Sequence, residues 1–262
     1  MATIKDVKKT ARLRLDKNWA ATVAVFCILL LSIMLIAVAE AAVRHIFSIP
    51  VIDNGAYNTS RESLFVLCGS LLLWFLIVPS VGLSLKGYYC DLAAGRNVSV
   101  SMSFDAFLSA RGYLASLVLP VRLMLVRVFS VIFFILPQTA LLIFTVYYAR
   151  RELSERESTI ITVSLIISVL LIFAGLIIVI SINLGRFLAP YLLITNRAKS
   201  VRQAMKASVR LMKKHKLALV RLNLSVLWMY IICIPLFSVI FVFPRIAVIR
   251  AGFAVDIMEK SE

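Results

Sequence analysis

Apolar and polar positions along this chain fall into blocks. Long uncharged tracts alternate with short basic segments, a pattern that predicts helices crossing a membrane rather than elements of a soluble core. In residues 2–18, Ile4, Val7, Ala11 and Leu15 recur at helical spacing, with Lys5, Lys8, Lys9, Arg12, Arg14 and Lys17 around the remaining face. Residues 1–18 therefore read as a basic amphipathic segment on the membrane surface, with a solvated helix as the competing reading. Trp19 marks the boundary of a first span from Trp19 to Val43. Ala37-Val38-Ala39 and Ala39-Glu40-Ala41 resemble signal cleavage sites, but the uncharged stretch 18–39 exceeds the roughly 7–15 residues of a signal-peptide core. A retained span is the better reading. Glu40 and Arg44, one turn apart near its far end, are placed to pair.

Residues 44–62 form a polar loop with the turn formers Asp53-Asn54-Gly55, and Asn58-Thr59-Ser60 matches a glycosylation sequon too short to carry weight. The second span covers 63–85 and ends at Lys86, with Pro79 and Gly82 positioned to bend it. The next loop contains Asp91, Arg96, Asp105 and Arg111, and a short helix near 101–110. Tracts 113–148 and 159–194 have 36 residues each, about 54 Å as helix against a hydrocarbon core of about 30 Å. Their membrane parts are placed at 128–148 and 162–184, which leaves Pro120, Arg122 and Arg127, and Gly185, Arg186 and Pro190, at one interface. In residues 199–216, Lys199, Arg202, Lys206, Arg210, Lys213 and Lys216 share one arc; Val201, Ala204, Met205, Ser208, Leu211 and Met212 lie opposite. This is a basic interfacial helix. A last span covers 217–243, interrupted by Pro235; a kinked sixth segment over 235–255 is the alternative.

Composition agrees with the pattern. Apolar side chains make up 61% of the chain and charged ones 16%, with a mean hydropathy of +0.96, which excludes an ordinary soluble domain, a disordered chain and a disulfide scaffold. The fold class is all-α: a polytopic helical membrane protein of about five spans, or six, with basic amphipathic interfacial helices. The 29 Lys and Arg against 13 Asp and Glu give +16. With no soluble domain to carry nucleic acid, that excess reads as the cytoplasmic bias of membrane proteins. Under a five-span topology 21 basic residues fall at one face and 8 at the other, which places the N-terminus in the cytoplasm and the C-terminus outside. Residues 19–262 form one transmembrane domain with a weak repeat between 63–128 and 162–234, where Gly82, Tyr88, Arg96, Ser99 and Val100 correspond to Gly185, Tyr191, Arg197, Ser200 and Val201.

Candidate chemistry is sparse. Cys27, Cys68, Cys90 and Cys233 form no CxxC pair, no carboxylate sits in the middle of a span, and there is no phosphate loop, HExxH pair or GxSxG elbow. The expectation is a non-enzyme without cofactor or metal. Arg122, Arg127, Arg186 and Arg221, with Asn183 and Asn223 nearby in sequence, approach the inner interface. Together with Arg202, Lys206 and Arg210 of the amphipathic helix they form the candidate site for a lipid head group or another anion, because guanidinium binds phosphate bidentately. Snorkelling of each Arg to water is the competing reading. The expected partners are anionic membrane lipids and other membrane proteins, and the expected role is organising or assisting membrane components. A transporter or channel for an amphiphilic or anionic solute is the alternative. Ser181-x-x-x-Gly185 and Ala37-x-x-x-Ala41 permit close helix contact.

Two blocks also carry a family resemblance. Gly82-Leu83-Ser84-Leu85-Lys86-Gly87-Tyr88, followed by Gly95-Arg96-Asn97-Val98-Ser99 and Phe104, is similar to the first motif of a superfamily of bacterial membrane proteins. Ala189-Pro190-Tyr191-Leu192-Leu193-Ile194-Thr195, with Ser200-Val201-Arg202-Gln203-Ala204 and Ser208-Val209-Arg210-Leu211-Met212, is similar to its second. The superfamily includes YciC-like proteins, related domains of unknown function and the membrane domains fused to some glycerophosphodiester phosphodiesterases. Ala11, Leu15 and Asn18-Trp19 add to the likeness. The charged segment 149–158 departs from the family's Pro-Gly turn, and no phosphodiesterase domain follows. The resemblance implies a fold and a bacterial inner-membrane address, without an activity.

Overall fold

In a computed structural model the chain is described at residues 4–53, 56–57, 60–149, 155–231 and 236–260. Helices dominate these residues, as the block pattern predicts. They are α1 (Ile4–Lys17), α2 (Trp19–Ile46), α3 (Arg61–Ala94), a 3₁₀ helix (Val100–Phe107), α4 (Ala110–Phe134), α5 (Leu136–Tyr148), α6 (Glu155–Gly185), α7 (Ala189–Ile194), α8 (Val201–Met212), α9 (Lys216–Ile231) and α10 (Leu236–Glu259). A two-residue antiparallel ladder, Ile52–Asp53 with Ala56–Tyr57, flanks residues 54–55. The rest of the expected turn and most of the sequon at 58–60 lie outside the described residues, as do residues 150–154 of the charged segment and Pro235.

Local chemistry explains where the helices begin and end. Ser60, Ser109 and Ser200 accept hydrogen bonds from the amides of Ser63, Gly112 and Gln203, satisfying donors that α3, α4 and α8 leave open at their first turns. Gly95 closes α3 in the left-handed region at φ 78°. Helix α3 runs unbroken through Pro79 and Gly82. Between α4 and α5 the helix breaks at Ile135, and Pro137, which has no amide hydrogen, restarts it.

Five helices are long and apolar enough to span a membrane: Trp19–Ile46, Arg61–Ala94, Ala110–Tyr148, Glu157–Ile194 and Ser238–Glu259. The first four match the expected spans. The last does not: in place of a span over 217–243 the chain forms α9 and α10 as an antiparallel pair, with Arg250 donating to Asn223 Oδ1 at 3.1 Å. The alternative over 235–255 is the one that α10 fits.

That correction relocates the C-terminus. Val7 on α1 packs against Gly252 on α10, and Arg197 donates to the Met258 carbonyl at 2.6 Å. Helix α1 and the last turns of α10 therefore sit at one end of the bundle, instead of at opposite ends. A mainly apolar tract does not reveal whether it forms one helix or two, and here it forms two, Lys216–Ile231 and Leu236–Glu259. Single cysteines at Ala207→Cys and Lys260→Cys in a cysteine-free background are expected to react from the same membrane face, and Ala56→Cys from the other. Labelling of 207 and 260 from opposite faces would overturn the α9–α10 pairing.

Packing is densest at the end that holds α1 and the last turns of α10. Val7, Ala11 and Leu15 of α1 join the final turns of α3, Leu188, Tyr191 and Leu192, and the buried residues of α10 from Ile246 to Met258 in one cluster. Of the most apolar stretch of each spanning helix, 44% is buried for α10 against 11% for α3. The other spans leave their large side chains outward, as a lipid solvent allows. Helices α2 and α3 form one hairpin and α5 and α6 another. At their shared end α3 meets α4 through a hydrogen bond between the Ser80 and Ser116 hydroxyls, 2.6 Å long. At the far end Arg44, 6% exposed, ties α2 to α3. Its Nε donates to Glu40 Oε1 at 3.1 Å and its Nη1 to Ser63 Oγ at 3.0 Å, so the expected Glu40–Arg44 pair forms.

Candidate functional site

The site grows from α8. Its apolar face, expected to lie in lipid, is covered by protein instead: Val201, Ala204, Ser208 and Met212 are buried, packed against α6, α7 and α4. The reason is visible at the junction of α6 and α7, where helical pairing lapses around residues 185–189. Ser208 Oγ accepts from the Leu188 amide at 3.1 Å and donates to the Gly185 carbonyl at 2.9 Å, satisfying two groups that the break leaves unpaired. A capping arrangement at the start of α8, with Gln203 Oε1 accepting from the Lys199 amide at 3.1 Å, holds its first turn.

Docked in this way, α8 turns its basic edge toward α4. Arg202 and Lys206 on α8, Arg122 on α4 and Arg186 beyond the end of α6 line one open cleft of about 680 Å³. The rest of its wall is apolar: Leu125, Val126, Phe129, Met205 and Val209. Among the described residues no carboxylate lines it and none of the four cations makes an ion pair. Arg186 is held by a bond from Nη1 to the Ile182 carbonyl at 3.0 Å. Four of the seven candidate residues are thus brought together.

The other three are not. Arg210 is exposed farther along α8 and Arg221 is exposed on α9. Arg127 lies five residues beyond Arg122, about 140° around α4 at 100° per residue, and donates to Asn183 Oδ1 at 3.2 Å. Lys216 leaves the expected arc as well: it starts α9 and donates to Ser181 Oγ at 2.7 Å, with its Cε against Gly185. The Ser181–Gly185 spacing is therefore a packing surface.

Arg122 and Arg202 also border a second cavity of about 610 Å³, which includes Ser84, Asp91, Asp105, Arg111 and Lys199. Its charge is mixed. Burial first, and the charge of Asp91 second, push the Asp105 carboxyl above the usual range. The folded chain holds that proton more tightly than the unfolded one, so this group's contribution to stability falls as pH rises from the ordinary carboxylate range through the shifted value. This cavity is less suited to an anion than the carboxylate-free cleft. Among the described residues no group of three His, Cys, Asp or Glu side chains is placed to hold a metal ion.

A family model matches residues 1–261. The chain belongs to DUF975, a family of proteins of unknown function. The match covers both motif blocks and all the helices of the bundle. No curated protein and no solved structure matches the chain.

Proposed function

We propose that this DUF975 protein is a non-enzymatic membrane protein that binds anionic phospholipid at its basic end and so organises or assists membrane components there. The observation that carries the reading is the cleft itself. Four cations without a carboxylate stand beside a wall of Leu125, Val126, Phe129, Met205 and Val209, which suits a phosphate head group joined to an acyl chain. The basic residues gathered at that end favour the cytoplasmic face of a bacterial inner membrane. Arg250 and Lys260, counted with the sparse face under five spans, belong with the basic one once α10 returns. The paired motifs around Gly82 and Ala189 relate the family to the YciC-like superfamily.

Near an anionic surface each Lys or Arg contributes about 1 kcal/mol. Removing four should lower affinity by at least about ten-fold. Native mass spectrometry of the full chain in mild detergent, titrated with phosphatidylglycerol or phosphatidylcholine, reads this directly. Saturable adducts with phosphatidylglycerol alone are expected, and the Arg122→Gln, Arg186→Gln, Arg202→Gln, Lys206→Gln variant should lose them. Unchanged adduct formation in that variant would overturn the reading. The two adjoining cavities support a second reading, transport of an amphiphilic or anionic solute, and saturable flux into liposomes would favour it.

A further inference from the structure

The mixed-charge cavity of about 610 Å³ beside the cleft is divided by sign. Its carboxylates, Asp91 and Asp105, come from the end of α3 and from the 3₁₀ helix. Its cations, Arg111, Arg122, Lys199 and Arg202, come from α4, α8 and the segment leading into α8. Opposite charges on one wall commonly neutralise each other. Here, among the described residues, neither Asp105 nor any of the four cations makes an ion pair. Asp91 pairs only through Oδ1, at 2.9 Å, with the exposed Arg96, which does not line the cavity. Arg111 is fixed by a bond from Nη2 to the Lys199 carbonyl, a neutral acceptor that leaves its charge intact. Ser84, 4% exposed, also lines the space, and its Oγ accepts from the Ala106 amide at 2.9 Å. Among the described residues its hydroxyl proton has no acceptor, so it is left to donate to what fills the cavity. The capping residues Ser109 and Ser200 put the first turns of α4 and α8 on the same wall, which adds the positive ends of two helix dipoles to the cationic side.

A wall whose opposite charges stand apart is complementary to a ligand that carries both. We propose that this cavity binds a zwitterion in which a primary ammonium and a phosphate are joined by a short linker, as in phosphoethanolamine. Asp91 and Asp105 receive the ammonium, whose three protons can serve both carboxylates as a quaternary nitrogen cannot. Arg111, Arg122 and Arg202 receive the phosphate oxygens, which suit guanidinium forks, with Ser84 as a further donor. Four cations against two carboxylates favour phosphate over a single carboxylate at that end. Burial, and after it the charge of Asp91, hold the Asp105 carboxyl above its usual range, and a bound ammonium relieves the second of these costs. The zwitterion is either a free compound or the head group of a lipid. Arg122 and Arg202 line both this cavity and the cleft, so the chains of such a lipid have the cleft's apolar wall to lie along. The site goes beyond the anionic-lipid reading, because the two carboxylates it needs do not line the cleft.

Two probes of the full chain test this. In nanodiscs of phosphatidylcholine, calorimetry with phosphoethanolamine reads the free compound. In mild detergent, native mass spectrometry reads adducts of phosphatidylethanolamine. Saturable heats without lipid adducts assign the ligand to solution, and saturable lipid adducts assign it to a head group. In whichever assay binding is seen, the analogue with a quaternary nitrogen (phosphocholine or phosphatidylcholine) should bind at least about ten-fold more weakly. The Asp91→Asn, Asp105→Asn variant should lose about ten-fold or more as well. That variant should bind glycerol phosphate, which has no ammonium, no more weakly than wild type, a result that general loss of structure does not produce. Its elution profile and helical circular dichroism show that it is folded. Its phosphatidylglycerol adducts should persist, so failure of this site leaves the cleft reading standing. Zwitterion binding by a chain that forms no phosphatidylglycerol adducts would sink the cleft reading alone. Absence of saturable binding in both assays, equal affinity for the primary and quaternary amines, or undiminished binding by the folded double variant would overturn the site.

Discussion

Replacing Gly175 by alanine is expected to cost about 1–3 kcal/mol, the usual range for forcing an extra methyl into a filled space. Gly175 lies on α6 opposite the end of α4. A Cβ there would overlap the carbonyl oxygen of Phe134 and stand 3.1 Å from its carbonyl carbon. The obstacle is backbone, so no rotamer change relieves it, and α6 must move away from the α4–α5 break. Gly69, on α3, is the natural control, because a Cβ there meets nothing within 4 Å. Thermal unfolding in one detergent should show a lower midpoint for Gly175→Ala and none of that loss for Gly69→Ala. Equal midpoints for Gly175→Ala and wild type would mean that the close approach of α6 to Phe134 is not part of the fold.

Arg44→Ala should destabilise the α2–α3 hairpin by about 2–3 kcal/mol, somewhat below the cost of breaking a fully buried ion pair. The discount reflects Glu40, whose side chain is 25% exposed and stays partly hydrated when its partner goes. Arg44 meets Glu40 twice, through Nε at 3.1 Å and Nη2 at 3.0 Å, and its Nη1 reaches Ser63 across to α3. The double variant Glu40→Gln, Arg44→Met should lose less than Arg44→Ala, since it leaves no charge behind. Thermal midpoints of the two variants and of Glu40→Gln alone complete the comparison, with non-additive changes expected for residues in contact. Strictly additive losses would show that Glu40 and Arg44 are energetically independent.

Much of the architecture was legible in the sequence, for reasons that differ by element. Helices α2, α3, α6 and the α4–α5 pair are marked by uncharged length, which only a bilayer explains. Ser60, Ser109, Ser200 and Gly95 bound elements by chemistry that needs no tertiary contact. Arg202 and Lys206 could be placed on one arc because helical geometry alone puts them there. What joined them was not legible: Arg122 and Arg186 reach the same cleft only because Ser208 docks α8 on the α6–α7 break. Nor was the distinction between Arg122 and Arg127, since it depends on which neighbour each side of α4 faces. Gly175 looked like any glycine in an apolar tract, because a sequence does not tell lipid-facing positions from those against another backbone. The largest departure is α9 and α10 in place of one span. It brought Arg250 against α9, where it donates to Asn223.

The contact between α1 and α10 sets an order of events during synthesis. Helix α1 leaves the ribosome well before α10, while the surface that covers Val7, Ala11 and Leu15 includes Ile246–Met258 of α10. At about 5–20 residues per second, the interval between the two is on the order of ten seconds or more. Throughout it the apolar stripe of α1 has only part of its native cover, and the membrane surface is the nearest substitute. Emergence of α10 then lets α1 exchange lipid for protein, so a helix made early is among the later ones to reach its final partners.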